Sequence, residues 1–452
     1  YGAVFTEDEN HLIGFNYTGA LYYWVRENGQ KQFKSLPIVH GHFQAVTDIS
    51  WDPEGKYLLS CSSDQTTRLF SFNKSNWFEL SRPQIHGYNL NSIAILQEPA
   101  IKDIDKGQVS ERVLPKFVSA SEEKIIRMFE PSYNTVKLLN EFSSANVRLS
   151  RDKPNEAFEK NLIEGDQQAL GLTNKQMNVA EDDDMKFDIT NFDPNAFISN
   201  QKNTLYNKSM NFAQPPDEDF LTNHTLWPEA NKLYGHSYEV IIVAASHKGD
   251  VFASAGSAKT EKYSHLFIWN VKSNNVLQKL EGHALTIIQI EFSKDDNLIL
   301  TVSRDRSWCL YKRNDKEDLY SLYQTAKECH LRIIWGCSFT DDSLFFATGS
   351  RDKFAKIWKN TDSKYSCVGE KEFDEAVTSV ELLSSKNDPS KIILLAGLEN
   401  GYIQMLRLLR EKEDSNKYIL SPLVSISQHV SFGGKVHRIK SSYRTEDDKV
   451  FT

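Results

Sequence analysis

Ser350-Arg351-Asp352-Lys353-Phe354-Ala355-Lys356-Ile357-Trp358 closes a pattern that opens at His330 and passes through Phe339. The same spacing joins His283, Phe292, Ser303, Asp305 and Tyr311, and joins His42, Trp51, Ser62, Asp64 and Phe70. In all three stretches the offsets from the histidine are 9, 20, 22 and 28 residues. A gapless period in the forties, with an aspartate six residues before an aromatic, predicts one β-propeller blade of four antiparallel strands per repeat. The chain is therefore expected to be all-β.

Weaker copies surround the clear ones. Leu12 to Trp24 reads as the middle of a blade. His86-Gly87-Tyr88 with Phe117 to Phe129 reads as another, with Tyr88 in the histidine slot and Glu123 in the aspartate slot. Gly235-His236 through Trp269, carrying extra polar residues near Lys259 to Lys262, and Ala376 to Leu408 add two more, and Val436 to Thr452 begins a last one. Pro131 to about Lys232 shows no repeat. Within it, Glu181 to Asp219 holds nine acids against three bases and a Pro215-Pro216 pair, the composition of a mobile acidic loop. From the residues alone, one large ring with an insertion and two rings in tandem both remain open.

At 452 residues the chain exceeds one ordinary compact domain, but repeat folds escape that limit because each unit packs only on its neighbours. A net charge of −8 argues against a generally nucleic-acid-coating surface, although it leaves room for a local basic patch. Cys61, Cys309, Cys329, Cys337 and Cys367 contain no C-x-x-C pair, so neither a disulfide framework nor a zinc site is suggested. No apolar run reaches the length of a membrane span, and Tyr1-Gly2-Ala3 reads as the interior of a longer protein.

Histidine, serine and aspartate recurring together invite a catalytic-triad reading. An active site is needed once, whereas His42, His283 and His330 each have their own serine and aspartate. A structural network is therefore expected, in which histidine and aspartate join through the serine (Ser62, Ser303, Ser350) and the aromatic (Phe70, Tyr311, Trp358) to hold one blade in register. Gly256-Ser257-Ala258-Lys259-Thr260 lacks the glycine spacing of a phosphate loop, and the Asp295-Asp296 and Asp341-Asp342 pairs fall where hairpin turns favour aspartate. No cofactor, metal or catalytic residue is expected.

Cations flank these aspartates. Arg304 and Arg306 bracket Asp305, Arg351 and Lys353 bracket Asp352, and Arg332 follows His330 by two. Gathered at one end of adjacent blades, Arg304, Arg306, Arg332, Arg351 and Lys353 would form a contact patch for a protein or an RNA. The plainer reading has each one pairing with a local acid or packing along an aromatic. Lys435, His437, Arg438, Lys440 and Arg444 form a second cluster, read as a solvated strand face.

On these residues the chain resembles WD-repeat propeller proteins. More narrowly, it resembles the family formed by the second subunit of the Elongator complex. The narrower likeness rests on Ser62 to Phe70, Arg82-Pro83-Gln84-Ile85-His86-Gly87-Tyr88, Leu170-Gly171-Leu172-Thr173-Asn174-Lys175, Leu226-Trp227-Pro228-Glu229, Val302 to Trp308 and Thr348 to Lys353. The Arg82 and Leu170 stretches belong to no blade consensus. The resemblance implies two tandem seven-bladed propellers, both incomplete here: residues 1–150 as the last blades of the first, 151–169 as a linker, and 170–452 as the second, with a mobile loop at about 178–222 and an incomplete last blade. It also implies a non-catalytic scaffold, cytoplasmic and nuclear, that joins the largest and the catalytic Elongator subunits for modification of wobble uridines in tRNA. A partner subunit or tRNA itself would meet the basic face, and no membrane would be involved. A peptide or modified-histone reader using the channel mouth is the rival reading, and a propeller enzyme a more distant one.

Overall fold

The computed structural model describes the chain except for residues 1, 7–8, 17–19, 27–31, 39–40, 74–75, 97–101, 104–107, 110–114, 144–213, 315–318, 385–390, 412–416, 427–432, 445–448 and 452. Six four-stranded antiparallel sheets follow one another from residue 46 to 426. Blade 1 contains Val46–Trp51, Tyr57–Ser62, Thr66–Asn73 and Asn76–Ile85. Blade 2 contains Leu90–Leu96, Lys116–Ser121, Ile125–Phe129 and Glu229–Tyr234. Blades 3, 4, 5 and 6 begin at Val240, Ile287, Ile334 and Val377, respectively. A separate sheet, Gly2–Phe5, His11–Phe15, Leu21–Val25 and Lys34–Leu36, precedes them.

The strands are short, and many are apolar on both faces: Val251–Gly256 and Phe345–Ser350 are buried throughout. That is what a sheet covered on both sides requires. The covers are the neighbouring blades. Tyr57, Leu59, Leu69 and Leu80 of blade 1 pack on Ile93, Ile95, Phe117 and Phe129 of blade 2, and Leu300, Val302 and Trp308 of blade 4 pack on Phe346 and Trp358 of blade 5. Polar side chains of the innermost strands also tie each blade to the next. Thr47 Oγ1 donates to Leu90 O at 2.7 Å, Gln289 exchanges two bonds with the backbone of Cys337, and Leu382 N donates to Ser338 Oγ.

The stretch 436–441 occupies the seventh position and closes the ring. Ile439 N donates to Ser379 Oγ of blade 6 at 2.8 Å, while Arg438 Nε reaches Asp48 Oδ1 of blade 1 at 2.9 Å and Trp51 Nε1 donates to Lys440 O at 3.1 Å. Lys440 Nζ lies 2.5 Å from Glu291 of blade 4, across the centre of the ring, and Ser441 is held by Glu381. The expected solvated strand face is thus corrected for Arg438 and Lys440, whose side chains are only 12% and 24% exposed. Carboxylates from three blades draw them inward, while Lys435 and His437 stay at the surface.

The expected division of the chain also changes. Blade 2 takes its outer strand from Glu229–Tyr234, pairing Ile126 with Leu233 and Arg127 with Lys232, so the boundary placed at 151–169 would cut a sheet. Blades 1 and 2 share one ring with blades 3 to 6, and the break falls between Leu36 and Val46 instead. The segment without repeats holds helix α1, Tyr133–Phe142, capped by Ser132, and the short helix α2, Glu218–His224, capped by Asp217. Glu218 is buried, so the expected mobile loop does not reach position 222. The linker, the Leu170–Lys175 motif and most of the acidic stretch lie outside the described residues.

Arg82 shows why the 82–88 stretch, foreign to a blade consensus, accompanies the one at 226–229. Its guanidinium binds Glu79 at 2.9 and 3.2 Å and Glu218 at 2.9 and 2.9 Å, and Arg82 N donates to Thr225 Oγ1. Trp227, fully buried, donates from Nε1 to Ser81 Oγ and from its backbone N to Pro83 O. The motifs at 82–88 and 226–229 therefore form one joint on the outer strand of blade 1.

Candidate functional site at one end of blades 4 and 5

In blade 5, His330 Nδ1 lies 2.9 Å from Asp352 Oδ2 and His330 Nε2 lies 2.9 Å from Thr348 Oγ1, to which Trp358 Nε1 also donates at 3.0 Å. Blade 4 repeats the contacts with His283, Asp305 and Thr301 at 3.0 and 2.8 Å, and blade 1 with His42, Asp64 and Ser60 at 2.8 and 2.7 Å. The hydroxyl on the imidazole Nε2 is thus Ser60, Thr301 or Thr348, while Thr66 and Ser307 meet Nδ1 in blades 1 and 4. It is not Ser62, Ser303 or Ser350, as the spacing had suggested. Strand alternation is the reason: the residue facing the histidine lies two positions earlier on the same face. The expected serines cap the turn instead, each accepting the backbone N–H of its aspartate. Phe70, with no polar atom, cannot bind that hydroxyl, whereas Tyr311 meets Thr301 and also donates to Glu281 O at 3.2 Å.

Each aspartate is fully used. Asp352 Oδ1 accepts Phe354 N at 3.0 Å, and Asp352 Oδ2 accepts Leu331 N at 2.8 Å besides meeting the histidine. Burial opposes the charge of Asp352 and Asp64, but the histidine bonds outweigh it and hold both carboxyls down at about 2. Burial likewise opposes the charge of His283, yet Asp305 and Cys309 together raise it to about 9. Blade 2 departs from the pattern. Tyr88, placed in the histidine slot from sequence, is 50% exposed, while His86 Nε2 stands 3.7 Å from Glu123, too far for a hydrogen bond.

These turns are rigid platforms for the cations. Arg306 and Lys353 sit in the left-handed region, at φ +69° and +73°, as Gln65 does at +68°. Such backbone is uncommon for residues with a Cβ and is held by the aspartate's bonds on either side. Arg306 pairs with Glu328 at 2.7 Å, and Lys353 Nζ donates to Asp374 O at 2.5 Å. Arg304, Arg332 and Arg351 are exposed, and among the described residues their guanidinium groups carry no hydrogen bond or ion pair. Of the five cations singled out from sequence, Arg306 and Lys353 have local partners, and the other three have none among the described residues.

Lys435 adds a contact that sequence reading missed. Its ammonium stands 4.1 Å from the centre of the Trp335 ring at the start of the innermost strand of blade 5. Burial lowers its pKa, Arg351 pushes the same way and Glu399 opposes them. No spacing rule joins residues a hundred positions apart, so only ring closure brings them together. Among the described residues no His, Cys, Asp and Glu side chains gather as a metal site, and no helix is long and apolar enough to cross a membrane.

The model of the WD domain, G-beta repeat, matches residues 33–71, 274–312 and 321–359, the stretches that carry the complete networks. The chain is 33% identical over 437 residues to Elongator complex protein 2 of Rattus norvegicus, covering 89% of this chain and 49% of the relative. It is 34% identical over 416 residues to Elongator complex protein 2 of Schizosaccharomyces pombe, covering 91% and 50%, and 32% identical over 429 residues to that of Arabidopsis thaliana, covering 90% and 48%. The chain thus spans about half the length of the curated relatives it matches.

Proposed function

Because the chain is a WD40-repeat protein related over most of its length to proteins named Elongator complex protein 2, we propose that it is a non-catalytic scaffold of an Elongator complex. In this reading it brings the largest and the catalytic subunit together for modification of wobble uridines in tRNA, in cytoplasm and nucleus. The sheet formed by residues 2–36 then belongs to a preceding ring, and blades 1 to 6 with 436–441 belong to the second of two tandem seven-bladed propellers.

The observation that carries the reading is the set of Arg304, Arg332 and Arg351, three exposed arginines whose guanidinium groups carry no hydrogen bond or ion pair among the described residues, on the fixed turns and loop of adjacent blades. Arginine held in place loses little entropy on binding and is favoured at interface hot spots. The channel-mouth reader is less favoured, because the face of Trp335 is already taken by Lys435.

The test is co-purification of the complete protein from its native cell, comparing wild type with Arg304→Ala/Arg332→Ala/Arg351→Ala. Stability is expected to change by no more than about 0.5 kcal/mol for each exposed site. Loss of stoichiometric large partners from the variant is the expected result. An unchanged set of partners removes the patch from the interface, and the absence of large partners in the wild type sinks the scaffold reading.

A further inference from the structure

Besides holding the histidine, the aspartate of each complete network fixes the residue that follows it. Phe43 N donates to Asp64 Oδ2 at 3.2 Å, Ala284 N to Asp305 Oδ2 at 2.8 Å and Leu331 N to Asp352 Oδ2 at 2.8 Å. A structural network thereby doubles as a mount, presenting one side chain per blade out of the same end of the ring. Leu331 is 77% exposed and Phe43 46%, and the adjoining loops of blades 2 and 3 expose Tyr88 and Tyr238. Leucine gains nothing from water, and its backbone is held where its side chain cannot retreat.

Apolar and cationic groups divide this face unevenly. Phe43, Tyr88 and Tyr238 stand on blades 1, 2 and 3, while Arg304, Arg332 and Arg351 stand on blades 4 and 5, with Leu331 directly beside Arg332. We infer that this end of the ring docks a protein segment in which carboxylates adjoin large apolar side chains, the carboxylates meeting the arginines and the apolar groups covering Leu331 and the aromatic arc. Charge complementarity selects the acid, and the exposed leucine selects an apolar neighbour for it. RNA fits less well. Binding of single strands interleaves aromatic platforms with cations. Although Lys124 stands 6.0 Å from the centre of the Tyr238 ring on the aromatic side, the exposed apolar group among the arginines, Leu331, is aliphatic and offers no platform for a base. The inference rests on the reading of the arginine face as a contact surface and adds the chemistry of what it contacts.

The complete protein would be titrated with a fluorescein-labelled twelve-residue peptide of alternating Asp and Phe. Comparison ligands are the same peptide with Asn for every Asp, the same peptide with Ser for every Phe, and twelve-residue oligouridylate. The acidic aromatic peptide is expected to bind, and Leu331→Ser and Arg332→Ala are each expected to weaken it about tenfold, as are the Asn and Ser replacements in the peptide. No binding to wild type, equal binding to Leu331→Ser, or tighter binding of oligouridylate would each overturn the proposal. The wider scaffold reading fails separately. If the triple arginine variant loses its large partners while Leu331→Ser binds peptide unchanged, the face is a contact but not of this chemistry.

Discussion

Blades 3 and 4 are neighbours and use the same contact, a histidine Nε2 on a buried hydroxyl, but their imidazoles titrate in opposite directions. His236 meets Ser254 Oγ at 2.7 Å, and Trp269 Nε1 donates to the same oxygen at 2.7 Å. No carboxylate among its described hydrogen-bond or ion-pair partners faces His236. Burial, with Lys279 acting the same way, therefore lowers its pKa to about 4. His283 is more deeply enclosed, but Asp305 and Cys309 raise it to about 9. A buried hydroxyl meets the ring in both blades, and Asp305, with Cys309 acting the same way, gives His283 the upward shift that His236 lacks.

The strongest way to break this comparison is Asp305→Asn. A buried histidine left without its carboxylate should cost about 3–5 kcal/mol in denaturant unfolding, and the ring protons of His283 should titrate well below 6.5 in nuclear magnetic resonance. A pKa that stays near 9 would mean that the aspartate is not the cause.

Acid provides the next test. The folded value of His236 lies below its free value of 6.5, so its contribution is present above about 6.5 and is lost as pH falls through about 4. Stability should therefore fall by about 3 kcal/mol across that window, and His236→Asn should flatten the slope. His283 runs the other way: its contribution is present below about 6.5 and is lost as pH rises through about 9. An acid slope unchanged in His236→Asn would assign the loss to other groups.

The smallest expected effect separates the two hydroxyls of blade 5. Thr348→Val removes the oxygen shared by His330 and Trp358 and should cost about 2–3 kcal/mol. Ser350→Ala removes a turn cap that accepts Asp352 N at 3.2 Å and donates to Arg332 O at 3.3 Å, and should cost about 1 kcal/mol. Equal costs would return Ser350 to the network in which its spacing first placed it.

Much of this was legible in the chain. The offsets of 9, 20, 22 and 28 residues marked three blades, and with them the histidine and aspartate partners, because those groups flank a hairpin of two fixed-length strands that brings them back to the same end of the blade. The hydroxyl partner was misread by two residues because serine occurs at the turn as well as on the strand. The cations at 304–306 and 351–353 were visible, but which of them find partners was not, since Glu328 and Asp374 answer two of them from the ends of other strands.

The sequence by itself determined the all-β class, the repeat and the likeness to Elongator complex protein 2. These depend on local spacing and on residue types that any strand of the same length must repeat. Only the tertiary structure decided where the ring begins and closes, that Arg438 and Lys440 turn inward, and that the 82–88 and 226–229 motifs share one joint. Each of these depends on pairs separated by a hundred residues or more, Asp48 with Arg438, Glu291 with Lys440 and Arg82 with Glu218. Coulomb attraction and packing act on distance in space, and spacing along the chain carries no record of it once the chain has travelled around the ring.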